Sequence, residues 1–386
     1  MIIEILFWLS VLLLFHTYII YPVILSVLSG TGKKDRITYS GDDDLPVVSV
    51  IISAFNEEDV IAGKIESIYD TGYPHDKLEV LVGSDASDDR TVEILNELAR
   101  SYSSLKVFDF KERRGKGNVV NDLVENAGGS ILVLTDANVM FDKDTLFRMI
   151  RHFKDERIGL VDTNMVNRGM TDEGISYQEK AYISREVKIK NNEGRLWGAM
   201  MGPFGGCYAI RKEDFPGVPP NFLVDDFYIN MKIFEKGKLA VNDIDARVYE
   251  DLPDKLSVEF RRKVRIGTGN WQNLRTFRKL LFSSRYGFAF WSHKVIRWIG
   301  PFLMIIALVT NIFLVFRNDF YYLPLAFQLL LMLIPFLDAL LKKMKIHVRP
   351  FRLVTHFYFM NIALLAGCFR SMGTISSGVW ERTSRD

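Results

Sequence analysis

Four short clusters in this chain gather residue types that handle charge. Asn56-Glu57-Glu58, Ser84-Asp85-Ala86-Ser87-Asp88-Asp89 and Asp136-Ala137-Asn138 are rich in acids and amides, and each follows an apolar run. Any one of them could simply cap a helix, since Asp, Asn and Ser accept bonds from free N–H groups there. Three at equivalent places suggest more, because neighbouring carboxylates repel unless a cation lies between them. The fourth cluster, Arg113-Arg114-Gly115-Lys116-Gly117-Asn118, is a basic turn that opens a helical pattern and suits a phosphate. Acids that hold a divalent ion beside a basic turn describe a nucleoside diphosphate site. The turn lacks the glycine–lysine–hydroxyl spacing of a P-loop. No GxGxxG follows the first apolar run, which disfavours a dinucleotide oxidoreductase.

The elements that would position these clusters follow from changes of hydrophobic period. Strands are predicted at Val47–Ser53, Leu78–Gly83, Leu105–Phe110 and Ile131–Thr135, with helices at Glu57–Tyr69, Asp89–Tyr102 and Lys116–Asn126 between them. Strand–helix alternation with short turns implies parallel pairing through right-handed crossovers. In such sheets ligands bind beyond the carboxyl ends of the strands, where the four clusters fall.

The ordered set AFNEE, SDASDDRT, RGKGN and TDAN resembles the family 2 glycosyltransferases. Two later segments extend the resemblance. Gly202-Pro203-Phe204-Gly205-Gly206-Cys207-Tyr208-Ala209-Ile210-Arg211 looks like the family's glycine-rich acceptor-side segment, and Leu223-Val224-Asp225-Asp226-Phe227 stands where it carries an acidic pair. The resemblance covers roughly residues 47–273. It implies an α/β domain of GT-A (Rossmann-like) fold with a mostly parallel sheet. It also implies inverting transfer from a nucleotide sugar, a UDP-sugar first, assisted by Mg²⁺ or Mn²⁺.

By position in the family pattern, Asp226 is the expected base. Asn56, Glu57 and Asp85 are expected at the nucleobase and ribose, and Lys116 and Arg265 at the diphosphate. Asp136 and Asn138 are expected at the metal, with Asn in place of the second Asp of Asp-x-Asp. Gly205, Gly206, Cys207, Asp225 and Trp271 are expected on the acceptor side. Asp225 either orients Asp226 or caps the next helix, and Cys207 is read as a buried structural thiol. The chemistry suits these types: a carboxylate takes the proton of the attacking hydroxyl, and cationic groups meet the charge that grows on the leaving phosphate.

One segment departs from the pattern. Processive members carry Gln-x-x-Arg-Trp after the base; here Arg262 takes the Gln position, Arg265 keeps the Arg and Ile266 replaces the Trp. Trp271 is near enough in sequence to substitute. Arg261 and Lys263 are read as lipid-facing charges. Limited addition to a lipid-linked acceptor and processive synthesis both stay open. So does a different class: a degenerate, non-catalytic membrane sensor of nucleotide sugar, or a scaffold of a synthase complex.

The ends are apolar. Residues 5–28 carry no Asp, Glu, Lys or Arg and are long enough to cross a bilayer. Glu4 and the lack of a small-x-small cleavage site favour an anchor over a signal peptide. Further apolar stretches run over Trp298–Phe316, Phe320–Leu337 and Leu353–Phe369, the last readable as a span or as an interfacial segment. Lys342, Lys343, Lys345, Arg349 and Arg352 place their connector on the cytoplasmic side, and Lys33, Lys34 and Arg36 place the central domain there too.

The expected division is an anchor over 1–30, the GT-A domain over 45–273, an interfacial connector over 274–297, spans over 298–370 and a tail over 371–386. Location in a bacterial inner membrane follows, with a glycan or lipid-linked acceptor, the lipid bilayer and export or synthase proteins as partners. The near balance of 49 Lys plus Arg against 47 Asp plus Glu disfavours a nucleic-acid partner. The 28 Phe, 15 Tyr and 6 Trp exclude intrinsic disorder, and two distant cysteines cannot build a disulfide framework. The tail, which includes Val379–Arg385, is too short for a separate regulatory domain.

Overall fold

The computed structural model describes residues 1–31, 36–41, 43–168, 176–251, 256–344, 346 and 348–373. Lys33, Lys34, Lys345 and the tail beyond Gly373 lie outside the described residues. Among the described residues the chain divides into two compact units: those within 28–168 and 183–251 form one, and those within 1–27, 176–182 and 256–373 the other.

The first unit is an α/β domain on one sheet of eight strands. These are β1 (Val48–Ala54), β2 (Leu78–Asp85), β3 (Leu105–Phe110), β4 (Ile131–Asp136), β5 (Met140–Phe141), β6 (Ile158–Arg168), β7 (Cys207–Arg211) and β8 (Leu239–Asp251), in the order β3-β2-β1-β4-β7-β6-β8-β5. The four strands read from the sequence form a wholly parallel half, with Val50 opposite both Val80 and Val133. Strand β1 lies between two neighbours and has both faces covered, so all but one of its residues are buried. The other half is mixed: β7 runs antiparallel to β4 and β6, β8 is parallel to β6, and β5 is antiparallel to β8.

Helices cover the sheet with apolar stripes. In Ile61–Tyr69 the residues Ile61, Ile65 and Ile68 are buried at helical spacing, and they join Val48, Val50 and Ile52 in the main core. This helix starts four residues later than predicted, and the next spans Thr91–Ser101 rather than starting at Asp89. The reason is the same at both places. Residues 56–59 and 86–90 form turns whose polar groups bond to one another across the rim, and only the Glu57 and Arg90 carbonyls there accept helical bonds, from Ile61 and Ile94.

The second unit is helical. Ile2–Gly30, Asp319–Lys343 and Arg349–Arg370 are long and apolar enough to cross a membrane. A fourth candidate is the pair Gly287–Trp298 and Gly300–Val315, bent by 63° at the break. Much of the stretch expected as a connector is therefore helix joined to the next span. Helix Leu256–Thr276, which carries Arg265 and Trp271 and was expected within the GT-A domain, belongs to this unit. It packs on Arg349–Arg370 through glycines: a Cβ on Gly367 would come within 2.7 Å of the Gly267 backbone. Small residues let such helices approach closely. The Trp271 ring meets Phe302 edge-on at 6.2 Å.

Candidate active site

The site is assembled at the carboxyl ends of the parallel strands. After β1 the chain turns through Asn56, whose φ of +54° suits an Asn better than most residues. The Asn56 side chain is clamped to the turn after β2: its Nδ2 donates to Asp88 Oδ1 at 2.6 Å, and its Oδ1 accepts from the Asp88 N–H at 3.0 Å. The Glu57 N–H donates to Thr91 Oγ1 at 2.8 Å. Both turns thus form one rigid rim, with the Asn56 amide turned to Asp88.

Asp85 ends β2 and is buried. Its carboxylate accepts from the Arg114 N–H at 2.6 Å, the Gly115 N–H at 3.0 Å and Arg113 Nε at 3.2 Å. It therefore holds the basic turn in place, a bonding role that the sequence did not suggest. The Arg113 guanidinium lies over the Phe55 ring at 3.4 Å. Gly115, at φ +80°, releases the chain into helix Lys116–Glu125, so that Lys116 is its first residue.

From there Lys116 reaches the end of β4, and its Nζ donates to Asp136 Oδ1 at 2.6 Å. Burial opposes the ammonium, but Asp136, Asp225 and Asp226 outweigh it and hold Lys116 protonated above the usual lysine range. Lys116, Ser53, Thr135, Gly205, Tyr208 and Asp225 line one small cavity.

Asp225 and Asp226 open helix Asp225–Glu235, where their charge complements the helix dipole. Val224, not Asp225, is the residue that precedes the first turn. Burial, with Asp225 adding to it, pushes the Asp226 carboxyl up to about 7, against the pull of the Phe227 N–H, Lys116 and Lys190. Gly205 lies against this carboxylate: a Cβ there would sit 2.8 Å from Asp226 Oδ2. Only a glycine admits the carboxylate so close. Gly206 carbonyl accepts from the Asp136 N–H at 2.9 Å, which ties the acceptor-side segment to the end of β4. The Cys207 thiol is fully buried, and burial raises it to about 12, so it is a packing residue and not a nucleophile.

Three buried side chains that carry no sequence motif hold the glycine-rich segment. Glu193 Oε2 accepts from the Met201 N–H at 3.0 Å, Asn230 Oδ1 from the Gly202 N–H at 3.0 Å, and Asp162 Oδ1 from the Phe204 N–H at 2.7 Å. Lys190 neutralises Asp162 at 2.6 Å, and Asn242 adds a bond at 3.1 Å. Arg265 and Trp271 lie on helix Leu256–Thr276 of the helical unit.

Divalent-ion chemistry can be tested against the donors. Asp136 offers one carboxylate and Asn138 one neutral oxygen, while Asn138 Nδ2 donates to Glu250 Oε1 at 3.1 Å. Among the described residues no group of three or more His, Cys, Asp or Glu could hold an ion alone. Such a donor set fits an ion shared with phosphate oxygens, as Mg²⁺ sites commonly are, and does not fit a cage built by protein alone.

The parallel half-sheet, the rim at its carboxyl end and the acidic pair on a following helix define an α/β domain of GT-A-like fold. Residues 49–216 match the family described as Glycosyl transferase family 2, and the chain carries a glycosyltransferase family 2 domain. A protein described as a probable glycosyltransferase of Bacillus subtilis is 25% identical over 241 residues, 59% of this chain and 56% of that one. A beta-monoglucosyldiacylglycerol synthase of Nostoc is 30% identical over 156 residues, 40% of this chain and 33% of that one. A poly-beta-1,6-N-acetyl-D-glucosamine synthase of Staphylococcus aureus is 24% identical over 277 residues, 67% and 66% respectively. The chain thus spans between 33% and 66% of the length of these relatives. Among solved structures, a mannosyltransferase of Pyrobaculum calidifontis in complex with GDP-Man and Mn²⁺ superposes with a TM-score of 0.70 at 23% identity. That match covers 95% of this chain and 99% of that one, and it establishes the fold.

Proposed function

We propose that this chain is an inverting, divalent-metal-assisted glycosyltransferase. It moves a sugar from a nucleoside diphosphate sugar to a glycan or lipid-linked acceptor, in the synthesis of a cell-surface polysaccharide or glycolipid. The observation that carries the reading is the convergence of Lys116, Asp136 and Asp226 about the Gly205–Gly206 segment. A cation, a carboxylate and an acid of raised proton affinity there match the three demands of the reaction.

The acceptor hydroxyl attacks the anomeric carbon, the new glycosidic C–O bond forms and the bond to phosphate breaks on the opposite face. Asp226 takes the hydroxyl proton, and its raised affinity for a proton makes it a stronger base than an ordinary carboxylate. Lys116 meets the charge that develops on the departing diphosphate. Asp136 and Asn138 would hold Mg²⁺ or Mn²⁺, which supplies further positive charge at the leaving group. Gly205 lets the Asp226 carboxylate close against the acceptor-side segment. Asn56, Glu57 and Asp85 act at the base and ribose end, Asn56 and Asp85 as the braces of that rim.

The apolar helices support an integral protein of a bacterial inner membrane, with the domain on the cytoplasmic face and Arg265 and Trp271 close to the membrane. A UDP-sugar is the first donor to try. GDP-sugars belong beside it, because the same fold holds GDP-Man in the Pyrobaculum enzyme. The test is release of nucleotide from a panel of UDP- and GDP-sugars by the full chain in detergent, with Mn²⁺, Mg²⁺ or EDTA. One donor should support turnover that EDTA and Asp136→Ala abolish. Tight nucleotide binding with no release from any sugar would favour a sensor instead.

A further inference from the structure

We propose that Lys64 is a positioning residue for transfer, a buried amine that fixes the Asp136-Ala137-Asn138 turn and aligns it with the acceptor-side glycines. The inference rests on the reading of that turn as the diphosphate and metal contact.

Lys64 sits within the apolar stripe of helix Ile61–Tyr69, flanked by Ile61, Ile65 and Ile68, and is 0% exposed. Burial without water pushes the Lys64 ammonium down to about 7, against the pull of Cys207 and Asp136, and an apolar side chain of equal length would fill the slot at less cost. The hydrogen bonds it donates account for the amine. Nζ donates to Thr135 Oγ1 at 3.0 Å and to the Val139 carbonyl, and lies 3.7 Å from the Phe141 ring centre. Thr135 and Val139 are the residues that bracket the turn, so a single nitrogen ties its two ends together.

The link runs further. Having accepted from Lys64, the Thr135 hydroxyl donates its own proton to the Gly206 carbonyl at 3.0 Å. That carbonyl also accepts from the Asp136 N–H, and the adjacent Gly205 abuts Asp226. The order is therefore Lys64, Thr135, Gly206, Gly205, Asp226. One buried amine sets where Asp136 stands relative to the proposed base, with no contact to substrate of its own.

The test uses the full chain in detergent and reads nucleotide binding with and without Mn²⁺ by calorimetry, together with kcat and KM. Wild type should bind UDP or GDP more tightly with Mn²⁺. Lys64→Met should keep the affinity measured in EDTA but lose roughly ten- to a hundredfold of the Mn²⁺-dependent gain, as the loss of a residue that orients a ligand does. Its kcat should fall by a similar factor with donor KM little changed. Thr135→Val should lose part of the same gain, Thr135→Ser should restore it, and the Lys64→Met/Thr135→Val double variant should be no worse than Lys64→Met alone. A folded Lys64→Met protein with the wild-type Mn²⁺ gain and kcat would overturn the inference. Where Lys64→Met does not fold, a wild-type gain in Thr135→Val does the same. A wild type with no Mn²⁺ gain overturns the reading of the turn itself, and this inference with it.

Discussion

The parallel half of the sheet and the mixed half both deliver functional groups to one rim, but they hold them differently. At the ends of β1, β2 and β4 the fixing bonds run between residues close to strand ends, mostly through backbone N–H groups: Asp85 with Arg114 and Gly115, Asn56 with Asp88. On the mixed side the glycine-rich segment is held by Asp162, Glu193 and Asn230, side chains from a strand and two helices that are all 0% exposed. A rim built on strand ends needs only the right turn. A segment without such a frame needs buried polar anchors, and these are costly to disturb.

Two acids express the difference, and substitutions at each would test it. Asp226 is the half-buried proposed base, and its charge is disfavoured there. Asp226→Asn should lower turnover by roughly a thousandfold while nucleotide binding persists. It should also raise Tm at pH 8, because the folded-state pKa lies above the unfolded value and the ionised carboxylate is a burden that grows with pH. For the same reason kcat/KM of the wild type should fall as pH drops through about 7, where the carboxyl takes up its proton. Retained turnover in Asp226→Asn would remove it from the base role, and an unchanged Tm would show that its burial carries no strain.

Asp162 is buried as an anchor, and the expected signs reverse. Asp162→Asn strands the Lys190 ammonium in a dry site, at a cost of about 3–5 kcal/mol, so Tm should fall and activity with it. Asp162→Asn/Lys190→Met removes both charges and should recover most of the stability, since replacing a buried pair is far cheaper than breaking one. Thermal melts of the two variants decide the point. A single variant as stable as wild type would mean that the pair does not hold the segment.

The same contrast explains what was legible in the sequence. The four strands, their parallel pairing and the clusters at their ends could be read because strand, turn and helix follow one another closely in the chain and the period of the apolar residues changes at each. The mixed half could not. β7 pairs with β4 and β6, and β8 with β6, across long separations that no local pattern records. Asp162, Lys190, Glu193 and Asn230 look like ordinary polar residues in their own segments. Lys64 did leave a signal, a charge where the helical stripe of Ile61, Ile65 and Ile68 calls for an apolar residue, and it was read as part of the helix. The acidic rim was legible as a cluster, while the bonds among its members, which delay both helices, were not.

Asn138 gives the finest test, because it lies where the halves meet: its amide closes the β4 turn and donates to Glu250 at the end of β8. Asn138→Asp would set a second carboxylate against Glu250 at the distance of a hydrogen bond. Without metal the two repel, and the variant should lose about 1 kcal/mol of stability, seen as a drop in Tm in EDTA. With Mn²⁺ the repulsion becomes affinity, so the variant should bind the ion without nucleotide roughly tenfold more tightly than wild type, and its Tm should recover. Asn138→Ala should mainly raise the Mn²⁺ needed for turnover, in contrast to Asp136→Ala, which no metal concentration should rescue. Adding Glu250→Gln to Asn138→Asp should remove the repulsion and much of the gained affinity together. Equal Mn²⁺ affinity for wild type and Asn138→Asp would show that position 138 does not face the ion, and the proposed metal contact would then rest on Asp136 alone.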